Sequence, residues 1–341
     1  MQPLVSILIP AFNAEAFITE TLESAVGQTW PRKEIIVVDD GSTDGTLSEA
    51  RRFEPRGVAV LTQSNQGAAA ARNRAYAAAR GDYIQWLDAD DLLAHDKIAK
   101  QLEVVGEQSA PKTLLSSAWG HFIYRPATAR FIPSLLWNDL SPVDWMILKF
   151  KHGSFMQTAT WLVSRELSEK AGAWDTRLLG DDDGEYFCRV LLASDSVRFV
   201  PDAKVLYRVP TSNSLSHIGR SDRKMEAHLL SMKLHIDYLR QMEDSARVRE
   251  ACIGYLQVWL IYFHPERPDL VDECRRLAAN LGGQLQPPRL SWKYSWIQKL
   301  FGWGAAKRAQ LSYNHGKAAV LRSWDKALLR WERRSAPHPC A

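Results

Sequence analysis

Cysteine is scarce and scattered in this chain. The four present, Cys188, Cys252, Cys274 and Cys340, form no CxxC pair, which excludes a zinc ribbon, a thioredoxin-like redox centre and a disulfide-dense secreted scaffold. They read as reduced thiols in a cytosolic setting. Long apolar runs are also missing. The strongest late one, residues 253–263, contains Gln257 and falls short of the roughly 20 residues that a membrane span requires. The opening run at 4–10 has no basic residue before it and ends at Pro10, so it reads as a strand rather than a secretion signal. Internal repeats and low-complexity tracts are absent. Apolar residues, by contrast, make up 46% of the 341 positions against 24% charged. That is enough to build one large core or two smaller ones, and it excludes disorder as the main state.

The net charge of +4 hides an asymmetry. Residues 286–341 hold 11 Lys and Arg against 2 Asp and Glu, which leaves 32 against 37 for everything before them. The same stretch holds five of the 13 tryptophans: Trp292, Trp296, Trp303, Trp324 and Trp331. An acidic body with a basic, Trp-rich tail asks for a partner.

Along the first hundred residues, strands and helices alternate. Apolar runs at 5–9, 34–38, 58–61 and 82–87 read as strands, near-continuous as in a parallel sheet covered on both faces. Helical patterns fill 14–26 and 67–79, and Ser42 or Thr43 is placed to cap a helix between them. This rhythm predicts right-handed βαβ units. Further on, 114–124, 158–163 and 197–207 read as strands, and 143–150, 165–171 and 181–191 as helices. Residues beyond 221 are helical in pattern up to a linker marked by Gly282-Gly283 and Pro287-Pro288.

In such sheets ligands bind beyond the carboxyl ends of the strands, and every strand here ends in polar residues: PAFN at 10–13, DDGSTDG at 39–45, QSNQG at 63–67 and DADD at 88–91. Asp39 and Asp44 suit turns or caps. Asp88, Asp90 and Asp91 do not, because three acids in four positions repel one another unless a cation compensates. Alternate carboxylates at a strand end suit a hard divalent ion that keeps open positions for phosphate oxygens. The acid run at 181–183 supplies a candidate general base, since a carboxylate beside others has a raised pKa. Asp181 fits better as a helix N-terminal charge.

VSILIPAFN at 5–13, VVDDGSTDG at 37–45, GAAAARN at 67–73 and WLDADD at 86–91 resemble the successive blocks of the bacterial-type, inverting, nucleotide-sugar-dependent glycosyltransferases of family 2, over roughly residues 3–215. The resemblance implies a GT-A fold: α/β, Rossmann-like, with a mixed, mostly parallel sheet flanked by helices, here followed by a helical C-terminal extension. It implies a catalytic part at 1–215, with nucleotide-sugar binding in 1–110 and acceptor binding and the base in 111–215. The helical extension would then be 216–285 and the tail 286–341. Pro10, Ala11 and Phe12 would lie against the nucleoside, Asp40 would accept from the base imide N–H, and Arg72 would help at the nucleotide. Asp88 would approach the ribose or sugar, Asp90 with Asp88 would hold Mn2+ or Mg2+, and Asp91 would be left to cap the next helix. His217 stands where some relatives place a metal or phosphate contact. Asp183 aligns as the catalytic base with Asp182 in place of the usual Glu. Gly184 replaces an aromatic residue, and Arg189 keeps the family spacing.

The expected reaction is single displacement: Asp183 takes the proton of an acceptor hydroxyl as it attacks the anomeric carbon opposite the diphosphate. A UDP-sugar is the expected donor, though a guanine imide also meets Asp40. The expected acceptor is a glycan or lipid-linked sugar of a surface polysaccharide or glycoconjugate. The alternative is a non-catalytic nucleotide-sugar-binding or scaffold protein of the same fold. Trp145, Trp161 and Trp174 read as core before they read as a sugar-stacking floor. In the tail, Leu321, Trp324, Leu328 and Trp331 form a one-face stripe, with Trp292, Trp296, Leu300 and Trp303 forming another. Two readings fit them. One is a peripheral contact with an anionic membrane surface at the inner face of the cytoplasmic membrane; the other is packing on this chain or in a homo-oligomer. No nucleic-acid motif accompanies the charge.

Overall fold

The structure, a computed structural model, describes residues 2–105, 112–209 and 221–335. Strands β1 (Val5–Ala11), β2 (Lys33–Asp39), β3 (Val58–Thr62) and β4 (Tyr83–Trp86) run parallel. The short β8 (Val163–Ser164) adds antiparallel to β4, giving the order β3-β2-β1-β4-β8. Helices α1 (Ile18–Val26), α2 (Thr46–Arg51) and α3 (Ala68–Ala78) make the connections. Alternate strand residues face opposite sides of a sheet, and the two faces carry two cores. Val5, Ile7 and Ile9 pack with Ile18 and Leu22 of α1 on one side, while Leu8, Ile36 and Val38 pack with Ala71 and Ala75 of α3 on the other. This is why the strand sequences read as unbroken apolar runs.

A second, four-stranded sheet has the order β5-β9-β6-β7. It is formed by β5 (Leu92–Leu93), β6 (Thr113–Phe122), β7 (Arg130–Phe131) and β9 (Ser196–Arg208), with β6 and β9 parallel. Between the strands lie α4 (Lys97–Val105), α5 (Pro142–His152), α6 (Arg165–Ala171) and α7 (Asp182–Ala193). Serine caps start two of these helices: Ser141 Oγ accepts from Asp144 N in α5 and Ser164 Oγ from Leu167 N in α6. Helices α8 (Asp222–Met242), α9 (Ala246–Phe263) and α10 (Pro268–Asn280) share the α3-side core through Met232, Leu256 and Cys274. The final helix, α11 (Ser295–Ser335), is broken at Gly302, which takes φ 81 and ψ 170.

Four local expectations are corrected. Residues 158–163 are not one strand: Gln157 Oε1 accepts from Ala159 N and starts a 3-10 turn at Thr158–Thr160, after which Trp161 is extended, Leu162 bridges Leu115 and β8 follows. The first helix starts at Ile18, four residues later than its pattern suggests, after a turn in which Ala14 O accepts from Phe17 N. Neither Ser42 nor Thr43 caps α2. Ser42 Oγ accepts from Asn13 N instead, and Asp44 Oδ1 accepts from Thr46 N. Asp91 caps no helix, being fully buried and bound to distant backbone. The core reading of Trp145, Trp161 and Trp174 holds, each at most 3% exposed.

Candidate functional site

The carboxyl ends of β1, β2 and β4 meet at one rim, joined by Asp40 N donating to Ala11 O at 2.8 Å. Phe12 stands half-exposed there, beside buried Ala11 and half-buried Pro10. Asp40 is buried, and its carboxylate accepts from Gln63 Nε2 (2.7 Å), Gln66 N (2.9 Å) and Gly67 N (2.8 Å). A carboxylate has about four acceptor positions, so three internal bonds leave room for one more. Its neighbour Asp39 is equally buried, accepts from Ser42 N at 3.3 Å through Oδ2, and has no partner for Oδ1 among the described residues. That orphan oxygen is a second acceptor at the rim, which sequence reasoning missed by reading Asp39 as a turn former. Gly41, at φ 73, lets the chain turn here: a Cβ would stand 2.9 Å from Asn65 N.

The D-x-D residues follow β4. Asp88 pairs with Arg72 Nη2 at 2.7 Å. The other arm of the same guanidinium, Nη1, pairs with Asp182 at 2.7 Å. Residues 72, 88 and 182 are thus brought together from α3, the β4 rim and the start of α7. Arg72 is 6% exposed and lies over the Trp174 ring at 4.4 Å. Trp174 is itself stacked on Tyr186, at 4.2 Å and 6° between planes, and its backbone is clamped to Asn73 on both sides. Burial disfavours the charged guanidinium, but the carboxylates of Asp182 and Asp88 outweigh it and raise the Arg72 pKa.

Asp90 has its pKa raised to about 6 by burial and by Asp88 beside it, against the pull of Arg208. Asp91 is pushed well above the usual range by burial, then by Asp90 and Asp88. It accepts from Arg208 N at 2.8 Å and from Gln157 Nε2. Arg208, another residue that sequence reasoning missed, clamps this loop. Its Nε donates to Asp90 O at 2.8 Å, its Nη2 to Glu20 at 2.7 Å, and its guanidinium lies between Phe17 and Phe122 at 4.6 and 4.5 Å. A lone arginine at a strand end carries no pattern that would have marked it.

At the start of α7, Asp183 is half-buried and accepts from Thr158 Oγ1 at 3.3 Å. Burial, Asp182 and Asp181 raise its pKa to about 6, while Arg72 and Lys149 hold it down. Asp182 is raised by burial, with Arg72 opposing. Asp181 takes a left-handed conformation, φ 57, and accepts from Ser231 Oγ at 2.8 Å. His228 and His235 Nδ1 each lie 3.9 Å from its Oδ2. Burial lowers the His235 pKa to about 4, so its imidazole is neutral. This cluster explains Gly184: a Cβ there would collide with Asp181 Oδ1 and stand 3.3 Å from His235 Cε1. Arg189 pairs with Glu185 at 2.7 Å and reaches Ala171 O, pinning α7 to α6. His217 lies outside the described residues.

The donor set of Asp88 and Asp90 is all oxygen and carries mutual repulsion, which fits a hard divalent cation completed by ligand oxygens. Among the described residues no group of three or more His, Cys, Asp or Glu side chains is arranged to hold a metal unaided.

Residues 6–169 match the model described as glycosyl transferase family 2. The chain is similar to the "Putative teichuronic acid biosynthesis glycosyltransferase TuaG" of Bacillus subtilis, 43% identical over 111 residues, which is 32% of this chain and 44% of that one. It thus spans under half the length of this relative. Similarity to "Glycosyltransferase GlyG" of Streptococcus pneumoniae runs at 29% over 220 residues, 61% of this chain and 71% of that one. Among solved structures, S. aureus TarS 1–349 in complex with UDP superposes with a TM-score of 0.60 at 17% identity, covering 82% of this chain and 88% of that one. The mannosyltransferase PcManGT of Pyrobaculum calidifontis, in complex with GDP-Man and Mn2+, gives 0.53 at 20% identity over 96% and 88%. At such identities the likeness establishes the fold, which is of the GT-A type.

Proposed function

We propose, from the match of residues 6–169 to glycosyl transferase family 2, that the chain is a member of that family and transfers a sugar from a nucleoside-diphosphate donor to an acceptor hydroxyl, with inversion. The observation that carries this reading is the Arg72 bridge, which ties the donor-side Asp88 to Asp182, the residue next to the candidate base. The nucleoside lies against Pro10, Ala11 and Phe12 on this reading, and Asp40 or the unpartnered oxygen of Asp39 accepts from the base. A UDP-sugar is the preferred donor. It is supported by the resemblance of the rim motifs and by the fold neighbour TarS, which is described with UDP and with UDP-GlcNAc.

Asp183 accepts the proton of the acceptor hydroxyl as its oxygen attacks the anomeric carbon from the face opposite the diphosphate. A carboxyl held at about 6 is ionised at neutral pH yet far more basic than an ordinary aspartate, which suits general-base work. Thr158 Oγ1 donates to one carboxylate oxygen and leaves the other toward the acceptor. Asp90, with Asp88, would hold a divalent cation, which supplies charge neutralisation of the leaving diphosphate. Arg72 opposes the rise that burial gives the Asp182 pKa and holds its carboxylate, tying the start of α7 to the donor rim. The acceptor is a glycan or lipid-linked sugar in surface polysaccharide assembly, a reading supported by the name of the Bacillus subtilis relative.

Purified protein incubated with a panel of nucleotide sugars and Mn2+ tests this. Release of nucleoside diphosphate from one donor, lost in Asp183→Asn while donor binding persists, is the expected result. Donor binding without release under any acceptor condition would instead identify a non-catalytic nucleotide-sugar-binding protein.

A further inference from the structure

The body holds α11 by one face. Asp325 accepts from Tyr124 N at 2.9 Å and pairs with Arg125 Nε at 2.7 Å, and Glu332, two turns on, pairs with Arg125 Nη1 at 2.6 Å. Lys326 lies 5.8 Å above the Tyr124 ring, and with Leu329 and Arg330 it walls a cavity of about 500 Å³ against Phe17, Tyr124 and Arg208. Further back, Lys307 binds His264 O and Glu266, both at 2.7 Å. The only two acids of the tail are therefore both spent on Arg125.

Among the described residues, the opposite face is left exposed. Tyr313, Val320, Trp324 and Trp331 are spaced by seven, four and seven, which returns them to one side of a 3.6-residue helix, and each is 65–69% exposed. Leu321 flanks them, and exposed Lys317 sits within the stripe. Before the break at Gly302, Trp292, Trp296, Leu300 and Phe301 are exposed as well, with Lys293 and Lys299 among them. Lys293, Lys299 and Lys317 have no acidic partner among the described residues.

From this we infer that the outer face of α11 docks the protein on an anionic lipid surface. A solvent-facing stripe of this size on a folded chain marks an interaction surface. The partner is read from charge. The acids face inward and the unpaired lysines stand among outward aromatics, which matches an interface where Trp and Tyr sit at headgroup depth and basic groups meet anionic lipid. A second copy of the chain would bring the same unpaired lysines against each other. No helix here is long and apolar enough to cross a membrane, so the contact is peripheral. The inference does not depend on the proposed reaction.

The test is co-sedimentation of the full chain with vesicles of equal parts phosphatidylglycerol and phosphatidylcholine, and with phosphatidylcholine alone. Binding to the anionic vesicles, weakened by added salt and at least about tenfold stronger than to the neutral ones, is expected. Trp324→Ser combined with Trp331→Ser should cut it about tenfold or more, and exposed side chains make that variant safe for folding. Lys317→Glu should reduce it further. Equal binding to both vesicle types, or no binding to either, overturns the inference. So does a dimer in sedimentation velocity that the double tryptophan variant dissociates while vesicle binding is unchanged.

Discussion

Asp183→Asn should inactivate this protein and stabilise it at the same time. The Asp183 carboxyl is raised from 3.8 to about 6 by burial and by Asp182 and Asp181. A rise of about two units is worth roughly 3 kcal/mol at about 1.4 kcal/mol per unit, an upper figure because the group is half-buried and water relaxes part of it. The sign follows from proton binding. Between about pH 4 and pH 6 the native state holds a proton that the unfolded chain has released, so stability falls as pH rises through that window. Above it the native state carries the full penalty of a charged Asp183. Asparagine removes the charge and keeps an oxygen for Thr158 Oγ1. Urea unfolding of both proteins, without metal or donor, should show the variant more stable by up to about 3 kcal/mol at pH 8. The gain should shrink to nothing near pH 4. A variant less stable at pH 8, or a gain that does not change with pH, would refute the view that Asp183 is held charged against its surroundings.

Three further outcomes follow from the same geometry. Replacing Arg72 by methionine removes one of the two groups that hold the Asp183 pKa down, so the acid limb of the pH–rate profile should move above its wild-type position near pH 6. Leaving two partly buried carboxylates unpaired should also cost about 3–5 kcal/mol in unfolding, whereas Arg72→Lys should keep the limb in place but lower kcat, because an ammonium cannot fork to both acids. Gly184→Ala should destabilise by about 1–3 kcal/mol through overpacking against Asp181; a double-mutant cycle with Asp181→Gly should recover most of it, and additive losses would sink the collision argument. Asp90→Asn should abolish the Mn2+ dependence of donor binding in calorimetry while leaving the fold intact; donor affinity that responds to Mn2+ as before would remove Asp90 from the metal.

Much of the fold was legible because burial repeats locally. Residues 5–9 and 34–38 divide between two cores at period two, so the strands announce themselves whatever lies around them. Residues 158–163 mislead because β-branched and apolar composition is all a sequence shows, while the Gln157 side chain decides the backbone by capturing Ala159 N. The same limit applies at the rim. Asp88 and Asp90 are visible as a pair because acids crowd after a strand, although the structure places them in a turn beyond β4, closed by Asp91 N donating to Asp88 O at 3.1 Å. That Arg72 joins Asp88 to Asp182 was not visible, since it sits on an alanine-rich helix with no period of its own and its partner is far along the chain. The aromatic missing at Gly184 shows in the sequence as a bare departure. Its cause lies in Asp181, Ser231 and His235, on two elements, and only packing reveals it.

The acids of the site differ in what compensates them. Asp88 and Asp182 share Arg72. Asp91 is fully buried, has its pKa pushed well up, and is bonded to the Arg208 amide. Asp88 and Asp182 thus have a cationic partner within the fold, and Asp91 has hydrogen-bond donors in the Arg208 amide and Gln157. Asp90 and Asp183 form no ion pair among the described residues, and both are held at about 6, the more distant Arg208, and Arg72 with Lys149, offsetting burial only in part. A carboxylate kept unpaired among other acids gains free energy from whatever positive charge arrives. On the proposed function, that charge would be a divalent cation for Asp90, beside Asp88 at the donor rim. For Asp183, with Thr158 on one oxygen, it would be the proton of an incoming hydroxyl. The base and metal roles that the family resemblance implies for Asp183 and Asp90 thus concern the two carboxylates without an ion pair among the described residues, while Arg72 joins the donor rim to the start of α7.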